Sequence, residues 1–193
     1  MNIKNVKTAF KVADVVLDKE HPKNHIKLNY LPEIINEKGE KTDNNVLKDR
    51  KGLVYLIVVD GEIKKIGGSQ GKGGIKSTMS FYQAAMQGRP SIRSYGIHMH
   101  MKESLDSGCN VEIYIINANE ITGPVKGLFS EDEGVKKIAV FKEMEDKCKE
   151  DFISEEGKYP EWNYQEQGFP WPTSVQEKHN QYLATTIKKE KKS

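Results

Sequence analysis

Residues Gly52 to Ser69, GLVYLIVVDGEIKKIGGS, decide how the chain folds. Leu53–Val59 is an unbroken apolar run rich in β-branched residues, Asp60-Gly61 is a turn dipeptide, and Glu62–Ile66 reads as the returning strand. This predicts a β-hairpin whose first strand is covered on both faces, inside a layered domain. Tyr55 and Lys65 are the two residues that do not suit such a place. With a two-residue loop they fall on opposite faces. With a three-residue loop (Val59, Asp60, Gly61) Tyr55 lies directly across from Lys65, and Gly61 takes the left-handed position of a G1 bulge. We expect the second register, which creates a shared site.

Working outward, the 193 residues suit one domain with extensions. Apolar residues make up 36% of the chain and charged residues 30%, with a net charge of only +2, so any basic surface must be local. Arginines are Arg50, Arg89 and Arg93 alone. Cys109 and Cys148 have no metal-ligand spacing, which suits a reduced chain. No charged-then-apolar leader and no run of membrane-spanning length appears, so a cytoplasmic location is expected.

Upstream of the hairpin, residues 1–50 read as a polar arm. It holds a short amphipathic helix marked by Val6, Phe10, Val12, Val15 and Val16, a possible strand Ile26–Tyr30 stopped by Pro32, and a charged loop or solvated helix from Asn36. Downstream, the glycine-rich run 67–74 is a connector that could bring backbone amides to an anion. Ile75–Gln87 has helical spacing, Ser91 caps a second helix to about Ser107, and Gly108 ends it. Asn110–Ile116 is a third strand and Asn117–Gly134 a loop. Val135–Glu156 is read as the longest helix, with a stripe of Ile138, Phe141, Met144, Cys148 and Phe152, stopped by Gly157. His98 and His100 stand two apart on a helix, face different ways, and are read as structural. Thr173 with Gln176, or Ser174 with Glu177, offers a capping box for a last helix to about Ile187, before the lysine-rich tail from Lys188.

A hairpin, two helices, a third strand, a long helix and a late Trp-Asn together resemble the GIY-YIG nuclease family over roughly residues 50–165. Gly52 with Leu53-Val54-Tyr55 stands for the first motif and Lys65-Ile66-Gly67 for the second, with lysine replacing the second motif's tyrosine. That replacement looks like a subgroup of small restriction endonucleases; the hairpin with Tyr82 and Val111-Glu-Ile-Tyr also resembles the phage endonuclease II group. Tyr159-Pro-Glu-Trp-Asn163 is similar to the family's Pro-Pro-Trp-Asn string. By the family's spacing Glu150, thirteen residues before Asn163, is the metal ligand; Glu145, beside the apolar stripe, competes with it. The family's arginine at the start of the first helix has no counterpart in Lys72–Tyr82. Lys76 lies closest, and Arg93 on the second helix could fold back.

The resemblance implies an α+β fold with a small central antiparallel three-stranded sheet flanked by helices. It divides the chain into an arm (1–50), a nuclease core (51–165) and a C-terminal helix with a basic tail (166–193). It implies a Mg²⁺- or Mn²⁺-dependent endonuclease of restriction type acting on double-stranded DNA, with a possible homodimer. A phage or mobile-element nuclease, or a DNA-binding module that has lost turnover, are the alternatives. Tyr55, Lys65, Lys76, Tyr82 and Glu150 are the implied catalytic residues, Glu150 the metal ligand, and Arg93 and Asn163 the residues that hold substrate or support the site.

Overall fold

The computed structural model describes residues 1–21, 24–36, 38–48, 52–118, 120–125 and 134–190. Arg50 and the end of the lysine-rich tail lie outside them. Five antiparallel strands form the central sheet: β1 (Phe10–Leu17), β2 (Ile26–Tyr30), β3 (Leu53–Val59), β4 (Glu62–Ser69) and β5 (Val111–Asn117), in the order β2-β1-β5-β3-β4. The expected three strands are β3, β4 and β5. The other two come from the first fifty residues, so the sheet is wider than expected, and the amphipathic helix read over Val6–Val16 is a strand from Phe10 onward. Its sequence FKVADVVL explains this, because three valines disfavour a helix and suit a pleated surface packed on both sides.

Every residue of β3 is buried, which is what an apolar run without alternation requires. Its odd positions, Leu53, Tyr55, Ile57 and Val59, face a core shared with α1 (Gly74–Gln83), α2 (Ile92–Asp106) and the front of α4 (Thr173–Glu190). Its even positions, Val54, Leu56 and Val58, face a second core closed by Phe152 of α3 (Phe141–Glu156) and by Ile3 and Ala9. The sheet is therefore sandwiched, and β4 is one of its two edges.

The hairpin's turn is two residues, not three. Asp60 and Gly61 both take left-handed angles (φ +46° and +82°), the conformation that lets a tight turn follow the twist of the strands. The extra residue sits instead inside β4. Val58 pairs with Ile63, but Ile57 pairs with Lys65, so Lys64 is bulged out and the register moves by one. Tyr55 is thus opposite Gly67 rather than Lys65. The bulge still returns Lys65 to the face of Ile57 and Tyr55, so the shared face exists with the two residues set diagonally.

Ser91 caps α2 by accepting from Ser94 N (3.1 Å), and Gly108 (φ +82°) follows its end. The helix read from Val135 begins later. Glu120–Val125 and Gly134–Ala139 pair as β6 and β7, a separate two-stranded sheet, and α3 starts at Phe141. The part of the expected 117–134 loop that β6 replaces is thus a strand, while 126–133 lies outside the described residues. Gly157, at φ +70°, ends α3 as its sequence requires. The last helix extends to Glu190, and Gln176 donates from its side-chain amide to the Trp171 carbonyl (2.5 Å). Among the described residues no helix is long and apolar enough to cross a membrane.

Candidate active site

Side chains that carry chemistry gather around the far end of edge strand β4, where two glycines replace side chains on opposite faces. A Cβ on Gly67 would collide with the Tyr55 ring, and one on Gly68 with the Glu145 carboxylate and the Phe141 ring. The pair Gly67-Gly68 therefore admits a tyrosine from β3 on one face and a carboxylate from α3 on the other. The lack of a side chain here is a matter of close approach, which only glycine allows.

On the first face, Tyr55 is 1% exposed and its hydroxyl lies 2.7 Å from that of Tyr82 on α1, the rings meeting edge to face. Arg93, in the first turn of α2, lies close enough to both phenol oxygens for its charge to act on them. Burial, with Tyr82 beside it, pushes the Tyr55 hydroxyl well above its ordinary pKa. Burial opposes the Arg93 charge, but the Tyr82 and Tyr55 oxygens more than offset that, so its pKa is raised and the guanidinium stays charged. Arg93 thus brings to this cluster the planar cation that the start of α1 lacks.

Lys65 shares this face and is only 2% exposed. Burial lowers its pKa to about 8, helped by the nearby Arg93 charge and opposed by Glu166 and Glu145. On the second face, the Lys149 ammonium lies 2.7 Å from Glu145 Oε1 and 3.4 Å from Glu166 Oε1. Burial raises and the Lys65 and Lys149 charges lower the Glu166 carboxyl, the charges prevailing.

Asn163 closes the strand's free edge. Its Oδ1 accepts from Ile66 N (3.0 Å) and its Nδ2 donates to Ile66 O (2.8 Å), while Trp162 N donates to Lys64 O (2.8 Å). One side chain thereby supplies both hydrogen bonds that a neighbouring strand would have made, and it is fully buried. Asn163 holds the residue between Lys65 and Gly67 in place.

Of the residues singled out from sequence, Tyr55, Lys65, Tyr82, Arg93 and Asn163 come together here. Lys76 does not join them: its ammonium lies 4.6 Å from the ring centroid of Tyr30, on the far edge strand β2. Glu150 is exposed on α3, whereas its competitor Glu145 is the carboxylate that reaches β4. The reason is helical phase. Glu145 follows Met144 at the border of the stripe that packs on the sheet, and five further residues carry Glu150 round to solvent. His98 and His100 have structural partners. The His98 ring donates from Nδ1 to the Tyr82 carbonyl (2.8 Å), and His100 stacks on Trp162 and bonds the Tyr164 hydroxyl (3.1 Å). Sequence reasoning missed Lys149 and Glu166. Lys149 had a legible signal, since it stands one turn after Glu145 and next to Cys148 of the apolar stripe; Glu166 had none.

Glu145, whose Oε2 lies where a Cβ on Gly68 would stand, is the carboxylate here that could hold a hard divalent cation such as Mg²⁺, which keeps most of its waters and needs few protein ligands.

No family model matches the chain, and no curated protein matches it in sequence. Among solved structures, a bacteriophage T4 EndoII mutant is similar with a TM-score of 0.52 at 19% identity, covering 83% of this chain and 95% of that one. This chain shares the mixed α+β fold of that structure. The restriction endonuclease HPY188I in complex with product DNA is similar with a TM-score of 0.47 at 20% identity, covering 83% of this chain and 84% of that one.

Proposed function

We propose that the chain is a Mg²⁺- or Mn²⁺-dependent endonuclease that hydrolyses phosphodiester bonds of double-stranded DNA. One observation carries this reading: Tyr55, Tyr82, Arg93 and Lys65 meet on one face of β4 while Glu145 approaches from the other, at a strand end made of glycine. Phosphodiester hydrolysis needs an activated water, neutralisation of charge on the phosphorane, and stabilisation of the leaving oxygen.

Arg93 would clamp the phosphate with two parallel donors, which lysine cannot do. The Tyr55 hydroxyl, held protonated well above neutrality, donates to a phosphate oxygen rather than removing a proton. Lys65 is the better base. With its pKa near 8 a useful fraction is neutral at mildly alkaline pH, so Nζ can accept the proton of the attacking water. Glu145, in place of Glu150, would hold the cation, which supplies charge neutralisation at the phosphate and leaving oxygen. Asn163 does not react; it keeps Lys65 and Gly67 in register. Cutting both strands of a palindrome needs two such centres, which a two-fold dimer provides.

Purified protein incubated with supercoiled plasmid and with phage DNA, in Mg²⁺ and in EDTA, tests the reading. Discrete metal-dependent fragments support a restriction-type enzyme, and nicking or degradation without a fragment pattern supports a less specific nuclease. Retarded DNA that stays uncut in Mg²⁺ and Mn²⁺ would reject turnover and leave a binding module.

A further inference from the structure

The Glu145 carboxylate is not free at both oxygens. Lys149, one helical turn later, places Nζ 2.7 Å from Oε1, and the same ammonium lies 3.4 Å from Glu166 Oε1 and 3.7 Å from Asp146 Oδ1. Oε2 is the oxygen turned to Gly68. Two other ion pairs on α3 have the same spacing, Lys142–Asp146 and Lys147–Asp151, but their side chains are more than half exposed. Those of Lys149 and Glu145 are 9% and 13% exposed. Surface pairs of this spacing contribute little and exchange freely with solvent. A largely buried ammonium shared by three carboxylates is held in one geometry, because leaving it unpaired away from water is costly.

We propose that Lys149 is a positioning residue: it occupies Oε1 of Glu145 so that this carboxylate offers a divalent cation one oxygen, Oε2, and no more. The inference rests on reading Glu145 as the metal ligand. Glu166 completes the arrangement by balancing the second positive charge beside Lys65, so the ammonium is not expelled when a cation arrives.

Two consequences follow from removing the ammonium, and both act in the same direction on binding. A repelling positive charge is lost beside the cation, and Glu145 becomes free to chelate through both oxygens, so the cation binds more tightly. Turnover moves the opposite way, because a chelated ion has fewer positions left for water and phosphate. A lysine that merely stabilised α3 would not separate affinity from turnover.

The test is isothermal titration of Mn²⁺ into the DNA-free protein, alongside DNA cleavage at saturating Mg²⁺, for the wild type, Lys149→Met, Lys149→Gln, Lys149→Arg and Glu145→Gln. Thermal melting confirms that each variant is folded. Lys149→Met and Lys149→Gln are expected to bind Mn²⁺ severalfold more tightly while saturated turnover falls about tenfold, the scale on which partners of metal ligands act. Lys149→Arg, which keeps a cation at the same reach, is expected to stay near wild-type affinity. Unchanged or weaker Mn²⁺ binding in both folded neutral variants would overturn the proposal while leaving Glu145 as ligand. Unchanged Mn²⁺ binding in Glu145→Gln would overturn the ligand assignment itself, and this inference with it.

Discussion

Asn163→Ala removes the side chain that both donates to and accepts from the Ile66 backbone, through bonds of 2.8 and 3.0 Å. The residue is fully buried, so the alanine leaves a backbone N–H and a C=O facing a small void rather than bulk water. Each buried group deprived of its partner costs roughly 1–3 kcal/mol. Partial entry of water at a sheet edge reduces the sum, so the expected loss is about 3 kcal/mol. With a urea slope of about 2–3 kcal/mol/M for a chain of this size, the unfolding midpoint should fall by about 1 M. Asn163→Asp should be no better, because its second oxygen would face Ile66 O and bury a charge. Equilibrium urea unfolding of the three proteins measures this. A midpoint within about 0.2 M of wild type for Asn163→Ala, at an unchanged slope, would refute the idea that this side chain stands in for a sixth strand.

Further outcomes follow from the same geometry. Because burial lowers Lys65 from 10.5 to about 8, the cleavage rate should climb as pH rises through about 8, and Lys65→Met should remove that step from the pH–rate profile. The same shift acts on stability. Between about pH 8 and the ordinary lysine value the folded chain binds fewer protons than the unfolded one, so stability contributed by this group rises with pH across that window, and chemical denaturation at several pH values reads it. Gly67→Ala should drive a methyl into the Tyr55 ring, destabilising the chain by about 1–3 kcal/mol and cutting activity even at temperatures where it remains folded. Arg93→Lys keeps the charge but not the fork, and should lower turnover by at least about 100-fold at little cost in melting temperature.

The hairpin was legible because its signals are local: a fully apolar run, a turn dipeptide, and two residues out of keeping with their surroundings. The face shared by Tyr55 and Lys65 follows from sequence only once a one-residue shift is placed somewhere. Nothing in Glu62–Ile66 marks Lys64, rather than the turn, as the place where it occurs. Ser91, Gly108 and Gly157 were readable because capping depends on single residues at fixed positions. Strand β1 was misread since Phe10, Val12, Val15 and Val16 fit helical spacing, and only pairing with β5, a hundred residues on, selects the strand. Likewise Val135–Ala139 looks continuous with α3 until β6 pairs with it. Glu150 was favoured by linear spacing from Asn163, yet helical phase, fixed by which side of α3 meets the sheet, brings in Glu145. The contribution of Arg93 to the tyrosine pair depends on how α2 lies against α1, which no local pattern encodes.

The central claim, that the residues around the end of β4 form a metal-dependent phosphodiesterase, is tested most directly by single-turnover cleavage of a labelled DNA duplex in Mg²⁺. Wild type, Glu145→Ala and Glu150→Ala would be compared side by side. The account predicts that Glu145→Ala loses cleavage by about 1,000-fold or more, on the scale of removing a group that stabilises transition-state charge, while the exposed Glu150→Ala cuts like the wild type. Loss of cleavage in Glu150→Ala with Glu145→Ala still active would contradict it.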